Sequence, residues 1–173
     1  MAADLPARFR RWFEYERDAH DRVLDSLATI PEDRRSSPEY RKAVDLLAHV
    51  VAARRNWLAR IVGGPAVPVF PRDARIEDVA KDWTEAAALW TEYLDKLDDD
   101  ELARVVEYRL SDGSAGREVA EDLLVQLYGH SHYHRGQIAS LVRAAGGEPA
   151  ATDFIHWRSE EHTSELQSRQ YLV

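Results

Sequence analysis

Residues 128–137 read YGHSHYHRGQ, with a histidine at every second position from His130 to His134. Strand geometry would put His130, His132 and His134 on one face; in a helix only His130 and His134, one turn apart, share a face. The flanking residues decide between these. Leu123, Leu127, His130, His134, Ile138, Leu141 and Ala145 fall on one three-and-four spaced seam over about Gly116–Ala145, and Gly146 and Gly147 end it. The stretch is predicted to be helical, with His130 and His134 in the core seam and His132 on the surface.

Working outward, three more segments show the same period. Phe9, Phe13, Ala19, Val23, Leu27 and Ile30 mark a first helix from Leu5 that Pro31 stops. Ser37 is placed to cap a second helix opened by Pro38, which carries Ala43, Leu47, Val50, Ala53, Trp57 and Ile61 and ends at Gly63. A third, about Ile76–Leu97, carries Val79, Trp83, Ala86, Trp90, Tyr93 and Leu97. The proline-rich PAVPVFPRDAR between the second and third helices is too long for a tight turn and is expected to cross one end of the fold. Before the last helix, Val105–Leu110 and an SDG turn predict a short β-like excursion.

Four long helices with one apolar stripe each can bury those stripes together as a four-helix bundle. The predicted class is therefore all-α, as one domain over residues 1–157. From Arg158 the chain reads RSEEHTSELQSRQYLV, which lacks apolar periodicity and resembles an in-frame translation of a sequencing-library adapter. Arg158–Val173 is read as a non-native tail, and His162 carries no functional weight.

Composition narrows the function. The chain has no cysteine, which excludes disulfides, cysteine-ligated metals and a catalytic thiol of its own. A formal charge of −8 and only short basic clusters argue against binding to nucleic acid or to an anionic membrane surface. No apolar run approaches the ~18 residues of a membrane span, and the amino terminus lacks a signal layout, so a cytoplasmic location is expected.

Two imidazoles in place of seam leucines cost free energy unless their ring nitrogens find partners. Either a divalent cation or hydrogen bonds within the core would provide them. His49, on or beside the inward stripe of the second helix, is the candidate third ligand, which would make an open three-imidazole site. Asp45 or Asp122 could replace it in a two-histidine-one-carboxylate set. His20 near the stripe of the first helix is a further candidate, as fourth ligand, substrate contact or boundary residue. Two metal motifs are absent: Ser131, not Glu, follows His130, and none of the seven histidines has Glu three residues before it.

HSHYHRGQI on the last helix, together with LLAHVVAARRNWL on the second, resembles the DinB-like (YfiT-like) metal-dependent family, a likeness reaching from the first helix to GGEPAATDFIHW. The resemblance implies a bundle that holds a divalent metal, commonly zinc or nickel, through His49, His130 and His134. It further implies a transferase joining a low-molecular-weight thiol to a small electrophile. A metal-dependent hydrolase, or a non-catalytic metal- or small-molecule-binding stress protein, are the alternatives. Arg135 and Gln137 belong to the motif and are expected to make surface or interhelical hydrogen bonds. Tryptophans exposed on the bundle exterior would support a homodimer.

Overall fold

The computed structural model describes residues 4–65, 67–110 and 112–160. Four long helices form the body: α1 (Leu5–Ala28), α2 (Pro38–Val62), α3 (Ile76–Asp95) and, after a short α4 (Asp99–Ala103) and a hairpin of β1 (Val105–Arg109) and β2 (Ala115–Val119), α5 (Ala120–Ala144). This is the expected all-α bundle with a short β excursion. Its ends follow local chemistry. The Ser37 side chain accepts from the Tyr40 amide at the start of α2, and Gly63, at φ 76°, closes it in the left-handed conformation.

Two boundaries differ from expectation. The last helix begins at Ala120, not near Gly116, because Ala115–Val119 pairs antiparallel with Val105–Arg109, setting Val105 against Val119 and Tyr108 against Gly116. Gly116 leaves room for the Tyr108 ring opposite it, which a Cβ there would displace. The third helix stops at Asp95, and Asp98 caps the separate short α4 by accepting from the Glu101 amide.

The long connection, expected to cross one end of the fold, instead lies back along α2. Val67 donates its amide to Asn56 Oδ1 at 3.0 Å, Val69 accepts through its carbonyl from His49 Nδ1, and Ala74 donates to Asp45 Oδ1 at 3.0 Å. Successive loop residues thus attach to successively earlier positions of α2, and the connection runs back along ~16 Å of that helix. Asp45 is committed to this strap.

The buried stripes are Phe9, Phe13, Glu16, His20, Val23 and Leu27 on α1; Leu47, Val51, Arg54, Leu58 and Ile61 on α2; and Val79, Trp83, Ala86, Trp90 and Leu94 on α3. Each is spaced by threes and fours, as bundle packing requires. On α5 the stripe is Leu124, Leu127, Ser131, Arg135, Ile138 and Val142. The helix is therefore turned about one residue from its expected setting: His130 and His134 are half-buried beside the seam, and Ser131 and Arg135 occupy it. Imidazoles facing apolar neighbours would lack partners, whereas Arg135 finds Glu16 across the core.

That pairing belongs to a buried cluster. Glu16 accepts from Arg54 Nη2 at 2.5 Å through one carboxylate oxygen and from Arg135 Nη1 at 2.6 Å through the other, so one acid on α1 ties α2 to α5. Arg135 also donates to Tyr15 Oη at 3.0 Å, and Arg54 to Ser131 Oγ at 3.3 Å. The Arg54 guanidinium further lies within 6 Å of the Phe13, Trp90 and Tyr128 ring centroids. Burial alone would raise the Glu16 carboxyl, but Arg54 and Arg135 outweigh it and hold its pKa below the ordinary value.

His20 lies away from the other histidines. Its ring stacks on Trp83 at 3.9 Å between centroids, and its buried Nε2 has no hydrogen-bond partner. Burial lowers its pKa from 6.5 to about 3, with Glu16 opposing and Arg54 and Arg135 reinforcing the shift. Because the folded pKa is below the unfolded one, the unfolded chain takes up a proton that the fold refuses. Stability from this residue is complete above 6.5 and declines as pH falls towards 3. In urea titrations at about pH 7 and about pH 5, His20→Leu is expected to lose ~2 kcal/mol less than the parent on acidification. Equal losses would mean that the proton is accommodated in the fold.

Of the five tryptophans none is exposed: Trp83 and Trp90 are in the core, and Trp12, Trp57 and Trp157 are partly covered. The rationale for a homodimer based on them falls away. Of the segment read as a tail, 161–173 lies outside the described residues. Residues 158–160 continue a helical segment over 154–160, and Arg22 pairs with Glu160 at 2.5 Å.

Candidate metal centre

One ring nitrogen each from His49, His130 and His134 lie within 4.8 Å of one another, and among the described residues no carboxylate joins them. Asp122 is exposed on α5 and is not part of the group. His20 is likewise outside it. His130 and His134 come together because they are one turn apart on α5; His49 meets them because α2 and α5 pack against each other. The ring centroids are 4.5 Å apart for His130–His134 and 5.0 Å for each pair with His49.

Hydrogen bonds orient two of the rings. The Val69 carbonyl accepts from His49 Nδ1, which leaves Nε2 as the lone-pair nitrogen. His134 Nδ1 donates to Gln137 Oε1 at 2.8 Å, which again leaves Nε2 free. His49 Nε2 and His130 Nε2 face each other at 3.1 Å. Two acceptor nitrogens so close repel unless a proton or a cation lies between them.

Burial, then the neighbouring His134 and His49, and finally Arg54 push the His130 pKa down to about 4. Burial also lowers that of His134, against the opposing Gln137 hydrogen bond. Both imidazoles are thereby kept neutral near pH 7, as ligation requires. Three imidazoles from two helices, two of them held by a partner on the far nitrogen, fit a divalent cation of borderline softness.

The DinB family sequence model matches residues 5–166. The chain belongs to the DinB family. That match covers the whole bundle, and no curated protein matches the chain. This DinB protein has, among its described residues, no helix long and apolar enough to cross a membrane.

The three histidines singled out in the sequence come together in the structure, and the groups that hold two of their rings were not among the expected site residues. Gln137 was legible as the residue three positions after His134, on the same helical face. Val69 acts through its backbone and leaves no side-chain signal. His132 is exposed as expected, although its Nδ1 reaches the Tyr128 carbonyl at 2.9 Å and its Nε2 lies 3.1 Å from Tyr15 Oη.

Proposed function

We propose that this DinB protein binds one divalent cation, zinc or nickel, through His49, His130 and His134, and transfers a low-molecular-weight thiol to a small electrophile in the cytoplasm. The observation that carries the reading is the convergence of three imidazole nitrogens from α2 and α5. A cation bound by neutral ligands only keeps its full charge, and so supplies acidification of a coordinated thiol or water.

The chain's own residues do the rest. Val69 and Gln137 aim His49 and His134, and the Glu16–Arg54–Arg135 cluster holds α2 and α5 in the register that keeps the imidazoles together. The triad is only half-buried, leaving a side open to a second molecule. Since the chain has no cysteine, any reacting sulfur arrives with a substrate. The reading of Arg158–Val173 as a non-native tail belongs to this proposal; a homodimer does not.

Loading the protein with Co²⁺ and adding glutathione or 2-mercaptoethanol tests the thiol step. A sulfur-to-cobalt charge-transfer absorption in the near ultraviolet, together with metal-dependent consumption of 1-chloro-2,4-dinitrobenzene, is the expected result. A cobalt spectrum unchanged by either thiol would remove the transferase reading and leave a metal-binding protein.

A further inference from the structure

Among the described residues eight large hydrophobic side chains are exposed, and singly exposed ones require no explanation. Two of them, however, pack directly on the candidate ligands. Phe70, 74% exposed, lies nearly parallel to the His49 ring, 5.0 Å between centroids and 8° between planes. Tyr133, 65% exposed, meets the His134 ring edge-on at 5.1 Å. His49 and His134 are themselves 5.0 Å apart, so Phe70, His49, His134 and Tyr133 form a continuous row of rings through the site.

The two aromatics reach it by independent routes. Tyr133 is the residue before His134 on α5. Phe70 follows Val69, the residue whose carbonyl holds His49 Nδ1, so the hydrogen bond that sets the His49 tautomer also fixes the start of the Phe70 side chain. The strap to Asn56 and Asp45 on either side holds that loop position against α2. Aromatic faces left in water beside a cation site offer binding area to a molecule that already coordinates the ion.

We infer that Phe70 and Tyr133 are specificity-determining walls of this site, selecting a substrate that carries an aromatic or comparably flat apolar group next to its metal-binding or reacting atom. The inference rests on the cation site proposed above and deepens it. It commits to a small-molecule occupant because both rings are continuous with the triad and share their contacts with its ligands.

Acetohydroxamate and benzohydroxamate carry the same metal-binding head and differ in a methyl against a phenyl group, so they test the walls without requiring turnover or a thiol. Each is titrated into the Co²⁺-loaded protein and followed by the cobalt visible spectrum, for the parent, Phe70→Ala, Tyr133→Ala and His49→Ala, with oligomeric state measured by sedimentation. The parent is expected to prefer benzohydroxamate by about tenfold, and each wall variant to lose most of that preference. Cobalt content and acetohydroxamate affinity should stay at parental levels in both. An unchanged preference in both wall variants overturns the inference while leaving the cation site intact. So does a parent dimer that dissociates in the wall variants, which would assign the two rings to contact with a second copy. Cobalt retained by His49→Ala, or never bound by the parent, overturns the cation site and the inference with it.

Discussion

Glu16→Gln is expected to lower the unfolding free energy by about 3–5 kcal/mol, the usual consequence of removing one partner of a buried ion pair. Glu16 and Arg54 are each 2% exposed and Arg135 is 6% exposed, so neither guanidinium can turn to water when the carboxylate is lost. The amide retains one acceptor for two cations and leaves their mutual repulsion uncompensated. Against a typical total of ~5–15 kcal/mol, such a loss brings the fold near its threshold. Urea unfolding measures it, and adding Arg135→Met should restore part of the loss by removing one of the stranded charges. A decrease below ~1 kcal/mol, the range of exposed pairs, would contradict the cluster's role. The carboxyl is held below its ordinary value of 4.5, so its contribution is present above that pH and is lost as pH falls through the lower folded value.

The second large effect concerns the triad. His49→Ala and His134→Ala each remove one of three nitrogens and leave two imidazoles to hold an ion. Loss of a partner that merely orients a ligand costs 10–100-fold in affinity, so loss of the ligand itself should cost at least ~100-fold. The metal-free variants should unfold within ~1 kcal/mol of the metal-free parent, because both positions are half-buried and lie beside the core seam. Calorimetric titration with Zn²⁺ and urea unfolding of the metal-free proteins separate the two quantities. A stability loss of several kcal/mol with little change in affinity would instead mark these residues as packing histidines.

Much of this was legible in the chain, and the misses share a cause. The four long helices, the Ser37 cap, the Gly63 stop and the β excursion all follow from local signals of a few residues. So does the His130–His134 pair, once the surrounding period makes the segment helical. The rotation of α5 was misjudged because His130 and His134 fit a three-and-four pattern almost as well as Ser131 and Arg135 do, and hydrophobicity alone does not separate neighbouring stripes. The deciding information is non-local. Glu16 on α1, Arg54 on α2 and Arg135 on α5 each fall in phase with a buried stripe, and their charges compensate only when all three helices are considered together. The position of Phe70 was similarly hidden, since the loop is tied to α2 partly through the Val69 backbone, which no side-chain pattern reveals.

Elemental mass spectrometry of the purified parent, His49→Ala and His134→Ala, after exposure to zinc and nickel, tests the central claim most directly. About one divalent ion per chain in the parent, reduced to background in both variants, is the expected result. A parent that takes up neither metal, or variants that retain a full complement, would contradict a cation site built from His49, His130 and His134.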